Sequence, residues 1–128
     1  MPPFKQNWEG KAHASLRALL DAFSEGAEMS VAEQPFEKPS DTILARVHPV
    51  RDEVWDVRCF DPYPGIRVLG RFSECDHFVA LTWNYRENMD WPAEIARCKA
   101  AWRNIFGDLP PHLGRRIDEY LSFNVRIV

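Results

Sequence analysis

Between residues 42 and 86, apolar and polar side chains alternate with a period of about two residues, and short polar segments interrupt the pattern. Thr42 to His48 reads as a strand stopped by Pro49, followed by a turn at Arg51-Asp52-Glu53. Val54 to Phe60 reads as a second strand. Asp61-Pro62-Tyr63-Pro64-Gly65 is turn chemistry, because proline fixes φ and glycine permits positive φ. Ile66 to Phe72 is a third strand, Ser73-Glu74-Cys75-Asp76 a turn, and His77 to Arg86 a fourth strand. Strands joined by such short turns pair antiparallel, in a meander.

The period changes on both sides of this block. Over residues 8–24, Ala12, Leu16, Leu19, Leu20 and Phe23 recur at helical spacing, with Asn7 as cap and Gly26 as stop. Residues 25–41 hold Gly26, Pro35 and Pro39 among five acidic residues and read as a loop. A second helix is expected over residues 91–106. It is capped by Asp90, opened by Pro92 and ended by Gly107, and its apolar stripe is Ile95, Cys98, Trp102 and Ile105. Residues 107–128 read as an irregular arm, with a short helix near Ile117 to Phe123 and a terminal strand from Val125 to Val128. The expected architecture is α+β, a single domain over 1–128 with a four-stranded antiparallel meander and helices packed on one face.

Composition narrows the class. Apolar residues make up 45% of the 128 and charged residues 27%, which argues for an ordered globular chain with one core. No apolar run approaches the roughly 20 residues that span a bilayer. The opening Met1-Pro2-Pro3-Phe4-Lys5 lacks the plan of a secretion signal. Cys59, Cys75 and Cys98 are odd in number and scattered, which points to a reducing, cytoplasmic setting. The formal net charge of -3 arises in residues 1–45, so no global basic balance marks a nucleic-acid binder. Any anion site must come from local geometry.

One face of the meander offers such geometry. Trp55, Val57, Cys59, Ile66, Val68 and Phe72 alternate to one side, joined on the fourth strand by Val79, Leu81, Trp83 and Tyr85. The other side collects Asp56, Arg58, Arg67, Arg71, Thr82, Asn84 and Arg86. Guanidinium forks suit phosphate oxygens, so this face could hold a nucleic-acid backbone or another anion. A plainer reading stands beside it, in which the arginines are solvated or pair with Asp56, Glu53 or Glu87. Trp55, Trp83 and Trp102 fall on apolar stripes and read as core. Cys75-Asp76-His77 lacks a second pair at metal-site spacing, and no serine or cysteine lies in a nucleophile motif.

Val54-Trp55-Asp56-Val57-Arg58, Gly65-Ile66-Arg67-Val68-Leu69-Gly70-Arg71-Phe72 and His77-Phe78-Val79-Ala80-Leu81 form a longer pattern. With Tyr85-Arg86 and a Pro92-started helix containing Glu94-Ile95-Ala96-Arg97, it resembles the RelE/HigB-type toxin family, including its phage-derived relatives. The resemblance covers the chain from Val54 to about Trp102. It implies a small metal-independent endoribonuclease that acts on mRNA, free or on the ribosome, needs no cofactor and is neutralised by an antitoxin protein. Arg58, Arg67 and Arg86 match the family's basic positions and would stabilise charge at the scissile phosphate while the RNA 2′-OH attacks. Arg71 and Asn84 would add phosphate binding. The chain departs from the family at Asp56, and Asn84-Tyr85-Arg86-Glu87-Asn88 replaces a lysine-rich segment. The alternative is a non-catalytic protein- or anion-binding module of phage or mobile-element origin on the same scaffold. An anion-binding enzyme of unspecified chemistry is a third reading.

Overall fold

The computed structural model describes residues 14, 17–35, 42–60, 65–122 and the backbone of 125–127. Asn7, the start of the first helix and the turn at 61–64 lie outside the described residues. The expected meander is present as β2 (Leu44–Arg46), β3 (Trp55–Cys59), β4 (Ile66–Glu74) and β5 (His77–Tyr85), each antiparallel to the next. Two further strands complete a mixed six-stranded sheet in the order β5-β4-β3-β2-β1-β6. β1 (Met29–Ala32) runs parallel to β2, and β6 (Val125–Ile127) runs parallel to β1. β1 falls inside the segment expected to be a loop. All four of its residues are buried, so the two-residue alternation that betrays a half-buried strand is missing there.

The helices do not share a face as expected. They cover opposite sides of the sheet. From α1, helical over residues 17–24, Leu19, Leu20 and Phe23 pack on a core of Leu44, Trp55, Val57, Ile66, Val68 and Phe72. α2 (Trp91–Phe106) lies on the arginine side, where Ile95 and Cys98 pack with Val47, Val54 and Leu69. Leu69 explains this: it lies between Arg67 and Arg71 on β4 and so shares their side. A bulge adds to it. The β4–β5 register slips between Leu69 and Gly70, pairing Leu69 with Thr82 but Gly70 with Ala80. The slip turns Leu81 to the α2 side, where it packs on that second core, while Tyr85 stays with the first. Gly70 is required at the slip, since a Cβ there would stand 2.2 Å from the Val79 carbonyl oxygen.

α2 has the predicted limits. Asp90 occupies the cap position, Pro92 lies in the first turn, and Gly107 closes the helix at φ 62°. Ile95, Cys98 and Trp102 form its buried stripe, but Ile105 is 62% exposed because it projects past the edge of the second core. Trp55 and Trp102 are core residues, whereas Trp83, on edge strand β5, is 42% exposed. The arm after α2 returns to the first core through a 3-10 turn, Ile117–Glu119, and buries Ile117, Tyr120 and Leu121. No helix among the described residues is long and apolar enough to cross a membrane.

Arg46 does not join the other arginines. It pairs with Trp55 in the sheet and is 1% exposed on the α1 side, its guanidinium 4.9 Å from the Trp55 ring centroid. Its Nη2 reaches Glu53 at 3.3 Å, the Tyr120 hydroxyl at 3.0 Å and the Gly114 carbonyl at 3.0 Å. The Tyr120 hydroxyl in turn donates to Glu53. Burial and the neighbouring Glu53 carboxylate push the Tyr120 pKa well above that of a free tyrosine, with Arg46 opposing. Above about pH 10 the unfolded chain therefore releases a proton that the folded chain retains, and stability falls as pH rises. Tyr120→Phe is expected to cost about 1.5–3 kcal/mol at pH 7, the worth of a buried hydrogen bond to a charged group. It should also flatten the loss of stability between pH 9 and 11; urea unfolding across that range measures both.

Candidate anion-binding cleft

The adjacent strands β3 and β4 set Arg58 directly opposite Arg67, and Asp56 opposite Leu69. All point to the α2 side. β5 delivers Arg86 to the same end, where the chain leaves the sheet in a 3-10 turn, Arg86–Asn88, tied by the Arg86 amide to the Gly65 carbonyl at 3.1 Å. Met89 and Trp91 follow at once. Asp56, Arg58, Arg67, Arg86, Met89 and Trp91 line a cleft of about 370 Å³. The three arginines named from the sequence thus meet at one place.

Their environments differ. Arg67 is 4% exposed, and its Nε lies 3.8 Å from Asp56, a contact too long for a good hydrogen bond. Its Nη1 is buried without a hydrogen-bond partner. Burial lowers the Arg67 pKa, Asp56 raises it, and the like charges of Arg58 and Arg86 lower it further. Arg58 is half-buried and donates to the Thr42 carbonyl at 3.3 Å. Arg58 and Arg67 both stand about 5 Å from the Phe60 ring, at 5.0 and 5.2 Å, which turns their planes against one aromatic surface. Arg86 is exposed at the rim. Three guanidinium groups thus share the described lining with one carboxylate, an arrangement whose mutual repulsion an anion would relieve.

Arg71 and Asn84 are elsewhere. Arg71 is on the same side of β4 as Arg67 but lies under α2, 5.7 Å from the Trp102 ring. Its Nε and Nη2 donate to the Asp52 carbonyl at 3.0 and 2.6 Å, so its fork is spent inside the fold. Burial lowers its pKa, and nearby Cys98, Asp52 and Glu53 oppose that. The same burial pushes the Cys98 thiol up to about 11, which leaves it un-ionised and unreactive. Asn84 donates to Glu94 at 2.9 Å and to the Asn88 carbonyl at 3.3 Å. Glu94, buried in the first turn of α2, is held by Asn84 and Arg97 and is not part of the cleft lining. The Cys75-Asp76-His77 segment serves the β4–β5 turn, where Asp76 at φ 65° accepts from the Ser122 amide and hydroxyl.

Met89, Trp91 and Phe60 were not singled out from the sequence as part of the site. Their signal was adjacency: Met89 and Trp91 follow Arg86 by a single turn, and Phe60 is two residues past Arg58. Comparison of the chain with protein-family models, with curated proteins and with solved structures finds no match. The chemistry of the cleft therefore carries the functional reading.

The contrast between the two β4 arginines is measurable. Arg71→Lys loses the two-pronged clamp on Asp52 and the ring contact, and is expected to cost about 1–3 kcal/mol in urea unfolding. Anion affinity at the cleft should be unchanged in that variant, as read by titration calorimetry with inorganic phosphate.

Proposed function

We propose that the protein is an anion-binding module whose cleft at Arg58, Arg67 and Arg86 takes the phosphate group of its ligand. The observation that carries this is Arg67 Nη1, a charged donor buried without a hydrogen-bond partner in a cleft with two further guanidiniums. Leaving such a donor dry is costly, and a bound oxyanion satisfies it. Phosphate suits the arrangement better than a carboxylate, because its oxygens can meet three donors arriving from different strands. Asp56 holds Arg67 in place and selects against indiscriminate binding of anions.

Inorganic phosphate should raise the thermal midpoint, with about 2.7 kcal/mol of stabilisation when the anion exceeds its Kd a hundredfold. Arg86→Ala, at the exposed rim, should weaken phosphate binding at least tenfold without lowering stability in the absence of phosphate. Sodium chloride should weaken binding in the wild type, by screening. No phosphate-dependent shift in the wild type would refute the reading.

A second reading is the metal-independent endoribonuclease, neutralised by a partner antitoxin. What favours it is a coincidence: the arginines singled out by the RelE/HigB resemblance are the ones that line the cleft. In this reading they hold the scissile phosphate, and Asp56 is the one carboxylate of the described lining able to take the 2′-OH proton. The binding reading ranks first because Asp56 is 0% exposed and engaged with Arg67, which leaves a base poorly placed to reach a substrate hydroxyl. Labelled mRNA incubated with the protein in EDTA separates the two. A binding module leaves it intact. A nuclease yields fragments that Arg67→Ala and Asp56→Asn each reduce by a hundredfold or more, within the range lost when a general base is removed.

A further inference from the structure

A second cavity adjoins the cleft. It is a groove of about 950 Å³ between α2 and the end of β2, and Trp91 lines both spaces. Val47, Pro49, Pro92, Ile95 and Ala100 give it mainly apolar walls. Its volume falls in the range of sites that bury small organic molecules, well beyond what an isolated inorganic ion needs. Ala96 and Ala100 are one helical turn apart on α2 and leave the space open beside Trp91.

The charges of the groove continue those of the cleft. Asp52 is its carboxylate among the described lining residues, and Lys99 is paired with it at 3.1 Å. Arg103 lies one turn further along α2. An apolar body carrying a positive charge is therefore disfavoured, while an anionic or neutral one is accepted. Trp91 is a wall of both cavities. A ligand that fills both carries its apolar body close to its phosphate, which suits an aryl ester better than a long acyl chain. A flat ring also matches the faces of Trp91 and Pro92.

Resting on the phosphate reading above, we propose that the cleft and the groove form one composite site for a small organic phosphate. The phosphate lies among Arg58, Arg67 and Arg86, and an aromatic or heteroaromatic body lies beyond Trp91 against Ile95 and Ala100. Trp91 then sets specificity, because it is the residue that contacts both parts of the ligand. The exposed face of α2 at Ala96 and Ala100 forms the outer wall of the body's pocket.

Titration calorimetry on the full chain tests this with inorganic phosphate, 1-naphthyl phosphate and adenosine 5′-monophosphate. At least one organic phosphate should bind tenfold or more tighter than inorganic phosphate. A larger gain for naphthyl phosphate assigns the site to compact aryl phosphates, and a larger gain for the nucleotide assigns it to nucleotides. Ala100→Phe, at an exposed helix position, fills the groove and lies outside the lining of the arginine cleft. It should abolish the gain and leave inorganic phosphate affinity unchanged, and Trp91→Leu should reduce the gain. Inorganic phosphate binding with no gain for either organic probe would overturn the composite site while leaving the phosphate reading intact. So would a gain that survives Ala100→Phe. Absence of any phosphate binding would overturn both.

Discussion

Covering both faces of the sheet is the constraint on which the rest of this protein depends. β4 is buried from Ile66 to Phe72, with α1 on one side and α2 on the other, so Arg67 and Arg71 cannot keep their charges in water. β2 imposes the same condition on Arg46. A buried guanidinium must find acceptors or an opposite charge, because an uncompensated one destabilises the fold strongly. The fold meets this demand in three different ways.

Arg46 has the most varied partners, Glu53, Tyr120 and two carbonyls of the C-terminal arm, with the Trp55 ring beneath it, although its Nε has no hydrogen-bond partner. That network fastens the arm to the meander and explains why a segment with little regular structure is nonetheless packed into the first core. Arg71 is satisfied by a backbone carbonyl and an aromatic ring, both provided by the packing of α2 and the 3-10 turn before β3. Among the described residues, Arg67 receives the longer contact with Asp56 and the Phe60 ring, and it shares the cleft with two more arginines. The same residue type on the same side of the same strand is thus structural at one position and chemically available four residues earlier. The difference lies in what each guanidinium meets. The Trp102 ring of α2 and the Asp52 carbonyl meet Arg71, whereas Arg67 lines the cleft beside the start of α2 at Trp91.

The strongly periodic elements were legible in the sequence. The four meander strands and α2 fall within one or two residues of their expected limits, because turn chemistry and helix caps act locally. β6 lies where a terminal strand was expected. What could not be read depended on contacts distant in sequence. β1 is buried on both sides and lacks alternation. The bulge at Gly70 reverses the facing of Leu81 and, with Leu69, creates the second core that brings α2 to the arginine side. That Arg58, Arg67 and Arg86 share one side of the sheet with Arg71 and Asn84 followed from alternation and needed no helix placement. The exclusion of Arg71 and Asn84 did need it, since each is engaged by residues that α2 or its neighbouring turns carry in.

Acidic overall balance and local positive charge are compatible for the same reason. The net charge of -3 is a property of the whole chain, whereas the field in a cleft is set by the charges left uncancelled within a few ångströms. Glu94, the buried carboxylate in the first turn of α2, is outside the cleft lining and is held by Asn84 and Arg97. Asp56 offsets part of the positive charge of the three guanidiniums in the described lining. Low-dielectric walls from Met89 and Trp91, with the Phe60 ring beside Arg58 and Arg67, strengthen what remains, because the same charges would be largely screened on an open surface. A modest number of arginines, gathered at one cleft with a single carboxylate in its described lining, can therefore give local positive charge to a chain whose composition argues against it.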